Sequence, residues 1–117
     1  MTQTHEDIIN NTITLLRSGW HKGAYQKVSL KGEVSYCALG ALMESAGVPF
    51  NAGLRWNDPM ISTIYRNLSK KCKAVVGYYS ISIYNDCYAE SVGDIITIYE
   101  KVRAEVGPDG MLPNEEW

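Results

Sequence analysis

The sequence predicts a small all-α, or nearly all-α, compact domain of four helices with one central buried helix. Three observations predict it. Apolar residues recur at helical spacing in four segments. Capping residues and glycines stand at the ends of these segments. One of the four segments is apolar on every face, which is typical of a buried helix. A minor β-hairpin is compatible with the short alternating segments that remain.

The first helix is predicted from His5 to Ser18. Thr4 is a suitable N-cap, and Asp7 three residues later approximates a capping box. Gly19 directly after the helix suits a left-handed stop, because glycine adopts positive φ without steric cost.

The second helix is predicted over residues 36–46 and is the clearest element. Ser35 is a favoured N-cap, and Gly47 is placed for the C-terminal stop. Glu44 is its only charged residue, so we expect it to be the central helix. Gly40 and the alanines beside it would let neighbouring backbone approach closely.

Two further helices follow. Asp58 before Pro59 predicts the start of the third helix, which should end between residues 73 and 77. The fourth is predicted over residues 92–106, with Ser91 as its N-cap. Residues 108–117 are expected to form a surface tail on a single domain spanning 1–117.

Two segments alternate apolar and polar residues. Val28 and Leu30 favour a brief extended piece in the loop after the first helix. Ile81 and Ile83 alternate with serines, so residues 78–84 suit a short extended segment, with a helical conformation left open.

Composition excludes several classes of protein. Apolar residues make up 45% and charged residues 21%, which is ordinary for a globular domain. The longest apolar run is too short to span a bilayer, and the first residues do not resemble a secretory signal. A net charge of −2 argues against general nucleic-acid binding. The three cysteines lack zinc-ligand spacing, so we expect reduced thiols in a cytoplasm, with no metal and no cofactor.

Three motifs together carry a family resemblance. They are Trp20-His21-Lys22-Gly23, then Cys37-Ala38-Leu39-Gly40-Ala41-Leu42, then Tyr84-Asn85-Asp86 before the last helix. The pattern resembles a domain-of-unknown-function family of small actinobacterial and bacteriophage proteins, over roughly residues 5 to 105. Tyr84 stands where that family usually has Trp. The resemblance implies a shared fold and a phage connection, in the cytoplasm of a bacterial host, and it assigns no catalytic residue.

One set of residues could carry thiol chemistry. Cys37 is predicted at the second position of the second helix, where backbone N–H groups and the helix dipole would stabilise a thiolate. His21 and Asp86 lie in other predicted loops, so a Cys/His/Asp nucleophilic site is conceivable. The opposing interpretation is that Cys37 packs as a small apolar residue.

A second, overlapping set could bind a ligand or a partner. The polar and aromatic residues expected round the start of the second helix form this set: Trp20, His21, Tyr36, Cys37, Tyr84, Asn85 and Asp86. The structural alternative is that Trp20 plugs the core while Asn85 and Asp86 hold a turn.

Three functional hypotheses follow. The favoured one is a non-enzymatic binding or regulatory protein, encoded by a phage and acting on a host protein. The second is a module that binds or sequesters a small polar ligand of nucleotide type, with an anion held at a helix start. The third is a Cys-dependent hydrolase or transferase. A homodimer is compatible with all three.

Overall fold

The computed structural model describes residues 3–49 and 58–113. Within these ranges there are five α-helices, one π-helical turn and two short strands. They are α1 (His5–Ser18), β1 (Gln26–Val28), β2 (Val34–Tyr36), α2 (Ala38–Ala46), α3 (Pro59–Val76), α4 (Ile81–Ile83), the π-helical turn (Tyr84–Tyr88) and α5 (Val92–Arg103). The mainly helical class is therefore confirmed. The predicted count of four helices is one short, because α4 was not expected.

Helix α1 has the predicted bounds. The Thr4 hydroxyl accepts the Asp7 N–H, and the Asp7 carboxylate accepts the Thr4 N–H. The stop at Gly19 is not left-handed, since its φ is 179°. Gly19 is needed there for space, because a Cβ would lie 2.5 Å from the Val34 carbonyl oxygen. The chain leaves α1 extended and runs along β2.

Helix α2 is the predicted central helix. Residues 38–43 are all buried, and α2 contacts α1, α3, α4 and β2. Gly47 ends it with a φ of 72°, as predicted. Its start differs from the prediction: Cys37 is the N-cap in place of Ser35, because Ser35 and Tyr36 are held in β2.

A small two-stranded sheet is present, but it pairs the segment near Val28 with residues 34–36 and not with residues 78–84. Strands β1 and β2 pair antiparallel, with Gln26 opposite Tyr36 and Val28 opposite Val34. On the other side of β2, the Gly19 carbonyl accepts the Tyr36 N–H and the Tyr36 carbonyl accepts the His21 N–H. The loop after α1 is therefore attached along β2, directly before α2.

The segment at residues 78–84, for which extended and helical conformations were both left open, is helical from Ile81 onward. The Ser80 hydroxyl caps α4 by accepting the Ile83 N–H. Ile81 is fully buried while Ile83 is exposed. A single helical turn places two residues on opposite sides as readily as a strand does, so two alternating isoleucines cannot separate the two structures.

Helix α3 begins and ends as predicted, and α5 ends at Arg103, three residues before the predicted end.

The segment predicted as a surface tail returns to the start of α1. The Gly110 carbonyl accepts the Glu6 N–H, and the buried Leu112 donates its N–H to Nδ1 of His5. Residues 114–117 lie outside the described residues.

Candidate ligand-binding site

Asn85 joins three parts of the chain. Its side chain is fully buried. Its Oδ1 accepts the Trp20 indole N–H at 2.7 Å and the Ala38 backbone N–H at 3.0 Å. Its Nδ2 donates to the His21 carbonyl at 3.3 Å and to Oδ1 of Asp86 at 2.8 Å. One amide group thus fixes the loop after α1, the start of α2 and the π-helical turn to one another.

The π-helical turn directs Asn85 and Asp86 to different places. The turn is closed by the Ala89 N–H donating to the Tyr84 carbonyl, five residues back. Such turns are uncommon and frequently occur at functional sites. Here Asn85 points inward, while the exposed Asp86 reaches the loop, where its Oδ1 accepts the Gly23 N–H at 2.8 Å.

The imidazole of His21 is held at both nitrogens. Nε2 contacts the Ala24 carbonyl oxygen, which can only accept, so Nε2 carries a hydrogen. Nδ1 lies 2.7 Å from the Ser35 hydroxyl, which donates to it when the ring is neutral. His21 therefore pins the loop to β2, and neither nitrogen is directed to Cys37.

Cys37 is a buried N-cap. Its Sγ accepts the Gly40 N–H at 3.3 Å. Burial raises the pKa of the Cys37 thiol, and the nearby Asp86 charge raises it further. Hydrogen bonds from the Gly40 and Leu39 backbone oppose that shift without overcoming it. The side chain therefore favours the thiol form, which is the unreactive one.

The Cys/His/Asp hypothesis gains no support from this geometry. The three residues do surround the same loop, but the thiol bonds to its own helix and the imidazole bonds to Ser35 and Ala24. A nucleophilic cysteine is activated by a base within hydrogen-bond reach or by a lowered pKa. The pKa of Cys37 is raised, and among the described residues neither His21 nor Asp86 forms a hydrogen bond with its thiol.

A surface cleft of about 460 Å³ opens beside this network. The loop, the start of α2 and the segment 81–88 all line it, through Gly23, Ala24, Tyr25, Cys37, Leu39, Ser82 and Asp86. Its volume is in the range of ligand-binding sites. Of the seven residues expected to bind a ligand or partner, Cys37 and Asp86 line the cleft, and Trp20, His21 and Asn85 hold its walls in place.

Two of the expected residues do not reach the cleft. Tyr36 is buried in β2, where its hydroxyl oxygen accepts from Nε2 of Gln26 at 3.4 Å. Partial burial raises the pKa of Tyr84, and the nearby Asp94, Cys72 and Glu90 raise it further. Those groups belong to α3 and to the region where α5 begins, so Tyr84 faces them.

Sequence reasoning missed the lining residues Ala24, Tyr25 and Ser82. The Gly40 signal pointed to Tyr25, since close backbone approach was expected there and a Cβ on Gly40 would lie 2.6 Å from the Tyr25 carbonyl carbon. That expectation is confirmed, although the approaching segment could not be named. Ser82 was missed because the conformation of its segment was left open.

The described residues give no indication of a metal site or of a membrane-spanning helix. In 3–49 and 58–113, no group of three or more His, Cys, Asp or Glu side chains is arranged to hold a metal ion. No helix within those ranges has both the length and the apolar character needed to cross a membrane.

No family model, curated protein or solved structure matches the chain. The resemblance to the actinobacterial and bacteriophage family therefore stays a prediction, carried by the three motifs alone.

Proposed function

We propose that the protein is a non-enzymatic binding protein that acts by docking onto another protein. The observation that carries this proposal is a cluster of large exposed side chains between the end of α3 and the π-helical turn. We call it the tyrosine surface: Val75, Tyr78, Tyr79, Ile83 and Tyr88, each between 41% and 58% exposed.

The tyrosine surface is partly preorganised. The rings of Tyr78 and Tyr88 stack with their centroids 4.4 Å apart and their planes 10° from parallel. Nζ of Lys73 lies 5.4 Å from the centre of the Tyr79 ring. Rings that are already ordered lose less conformational entropy on binding than mobile side chains do. Tyrosine is also enriched among the residues that dominate protein interfaces.

The surface differs from scattered exposed apolar residues, which are normal on any protein. Its members fall within 14 consecutive positions, and two of them touch. Exposed apolar and aromatic side chains grouped in this way are typical of an interaction site. The family resemblance extends the proposal to a phage-encoded protein whose partner is a host protein in the bacterial cytoplasm.

Site-specific photocrosslinking tests this proposal. A benzophenone amino acid is placed at Tyr79, or at the exposed Asn11 of α1 as the matched control. Irradiation in bacterial lysate should give a discrete heavier product from position 79 and none from position 11. The additional substitution Tyr88→Ser should remove that product. Equal labelling from both positions, or no product from position 79, would overturn the proposal.

A small-molecule-binding function is the second candidate, and the cleft of about 460 Å³ favours it. The geometry disfavours the nucleotide-type ligand first expected. An anion at the start of α2 would need its backbone N–H groups, yet Ala38 donates to Asn85 and Gly40 donates to Cys37. A ligand of the opposite charge fits better.

A further inference from the structure

The cleft and the tyrosine surface are separate sites on one segment. Ser82 and Asp86 line the cleft, whereas Ile83 and Tyr88 belong to the tyrosine surface. Ligand binding in the cleft and protein binding on the tyrosine surface can therefore be tested independently.

Several backbone donors around the cleft are already used within the protein. The Gly23 N–H donates to Asp86, and the Cys37 N–H donates to the Tyr25 carbonyl. The first N–H groups of α2 bond within the protein, as described above. Among the described lining residues there is no lysine, arginine or histidine, and Asp86 is the only carboxylate. The Asp86 carboxylate together with the Ser82 hydroxyl attracts a cation carrying hydrogen-bond donors.

The Asp86 carboxylate is oriented before any ligand arrives. Its Oδ1 accepts from the Gly23 N–H and from Nδ2 of Asn85, both at 2.8 Å. Asn85 is itself fully buried and fixed by three other hydrogen bonds. Among the described residues, Oδ2 has no hydrogen-bond partner. An acceptor held in place costs little entropy when it binds.

One available oxygen selects between cations. A guanidinium binds a carboxylate best through two parallel hydrogen bonds to both oxygens. Because Oδ1 already accepts two, Asp86 presents one oxygen and suits an ammonium, which acts as a point charge with rotatable donors. Leu39 beside Cys37 supplies an apolar wall for the alkyl chain that carries the ammonium.

We propose that this cleft binds a primary alkylammonium group, with Oδ2 of Asp86 as its main acceptor and Ser82 as a second. The same chemistry is found in a free alkylamine and in a lysine side chain of a peptide.

The test is a titration followed by backbone amide NMR shifts at pH 7 and constant ionic strength. The probes are butylammonium, with butylguanidinium and butanol as matched controls. Butylammonium should shift the amides of Gly23, Leu39 and Asp86 in a saturable way. It should bind about tenfold or more weakly to Asp86→Asn, since a hydrogen bond to a charged group is lost. Butanol should give no saturable shift. Butylguanidinium binding as tightly as butylammonium would overturn the proposal.

Asp86→Asn retains Oδ1 as an acceptor for Gly23 and Asn85, so the variant should keep its fold, which the unperturbed remainder of its spectrum would verify. Glu90→Gln removes an exposed carboxylate outside the cleft and should leave butylammonium binding unchanged. An equal loss in both variants would show only nonspecific charge attraction and overturn the site.

Two further probes separate the sources of the ammonium. Diaminobutane stands for a free amine, and a lysine-containing peptide is compared with its Nε-acetylated form. Tighter binding of the unmodified peptide than of diaminobutane supports a lysine side chain, and the reverse supports a small amine. Failure of every ammonium probe sinks this inference but leaves photocrosslinking at position 79 unaffected.

Discussion

The inner and outer faces of the segment 81–88 differ in burial and in hydrogen bonding. On the inner face, Ile81 and Asn85 are fully buried, and Asn85 makes four hydrogen bonds. On the outer face, Ile83 and Tyr88 are about half exposed, and their large side chains stabilise little of the core. Neighbouring residues of one short segment thus lie on a buried, hydrogen-bonded face and on an exposed face.

The helical geometry of the segment produces this separation. Ile81 and Asn85 are four residues apart and share one face of a helix. The π-helical turn adds a residue to the next repeat, with Ala89 bonding five residues back to Tyr84. That wider turn brings Tyr88 against Tyr78 while Asp86 stays at the cleft.

The largest expected effect comes from Asn85→Ala. The change leaves the Trp20 indole N–H, the Ala38 N–H and the His21 carbonyl without their partner. An unsatisfied buried group costs about 1–3 kcal/mol; the Ala38 N–H is buried, whereas the Trp20 and His21 groups are part-buried and should cost less. We therefore expect the free energy of unfolding to fall by about 3–5 kcal/mol in urea denaturation.

The control for that change is Asn67→Ala. Asn67 is also buried, but among the described residues its Nδ2 donates only to the Thr63 carbonyl of its own helix. Its loss should be about 1 kcal/mol. Similar losses for the two variants would show that Asn85 holds nothing together across the chain, and the contrast between the two faces would disappear.

The next effect tests the wall of the cleft through two glycines. A Cβ on Gly40 would lie 2.6 Å from the Tyr25 carbonyl carbon, and backbone there cannot yield without moving the loop. Gly40→Ala should lower the free energy of unfolding by about 3 kcal/mol. Gly93→Ala in α5, whose Cβ would meet only Ser91 Oγ at 3.4 Å, should raise it by up to about 1 kcal/mol. Thermal melts of both variants give the comparison, and equal shifts of the same sign would contradict it.

The three thiols differ in burial, and the buried ones should make the free energy of unfolding depend on pH. Burial raises the pKa of Cys72 to about 11, and it also raises that of Cys37, whereas Cys87 is exposed. A thiol with a raised folded pKa loses its proton first in the unfolded chain. The stability it provides is therefore complete below the unfolded pKa of about 8.5 and lost as pH rises towards the folded value.

Two measurements follow from that sign. Native protein at pH 7.5 should react with iodoacetamide at Cys87 well before Cys37 or Cys72. The free energy of unfolding should fall between pH 9 and 11, and less steeply in Cys72→Ala than in Cys87→Ala. Fast labelling of Cys37 would revive the nucleophile hypothesis.

Helix ends were predictable where a local signal decided them. The capping box of Thr4 and Asp7, the Asp58 cap and the Gly47 stop are all made by residues within one turn. The start of α2 was not predictable from a local signal, because Ser35 is a better local cap than Cys37. The pairing of Tyr36 with Gln26 removed Ser35 from the helix, and that pairing depends on chain ten residues away.

The candidate site was predictable in membership more than in roles. Cys37, His21, Asn85 and Asp86 were named as candidates with the proximity of Cys37, His21 and Asp86 left open, and in the structure they lie around one loop. Their roles depend on atoms that spacing cannot locate. Nothing in the sequence shows that His21 has both nitrogens occupied, or that burial outweighs the helix start at Cys37.

The smallest expected effect on stability is also the one that most sharply tests the outer face. Tyr88→Ser removes the ring stacked on Tyr78, an interaction that contributes about 0.5–1.5 kcal/mol. Urea denaturation should therefore show a loss of about 1 kcal/mol, well below that of Asn85→Ala. The matched control is Val28→Ser in the hairpin, which is also exposed and lies outside the tyrosine surface.

Tyr88→Ser should have a large effect on partner binding although its effect on stability is small. Photocrosslinking from position 79 should disappear in Tyr88→Ser and persist in Val28→Ser, because only the first change disrupts the preorganised rings. If Tyr88→Ser instead destabilised the fold as much as Asn85→Ala, the outer face would belong to the core in energetic terms. The exposed tyrosines would then need no partner to explain them.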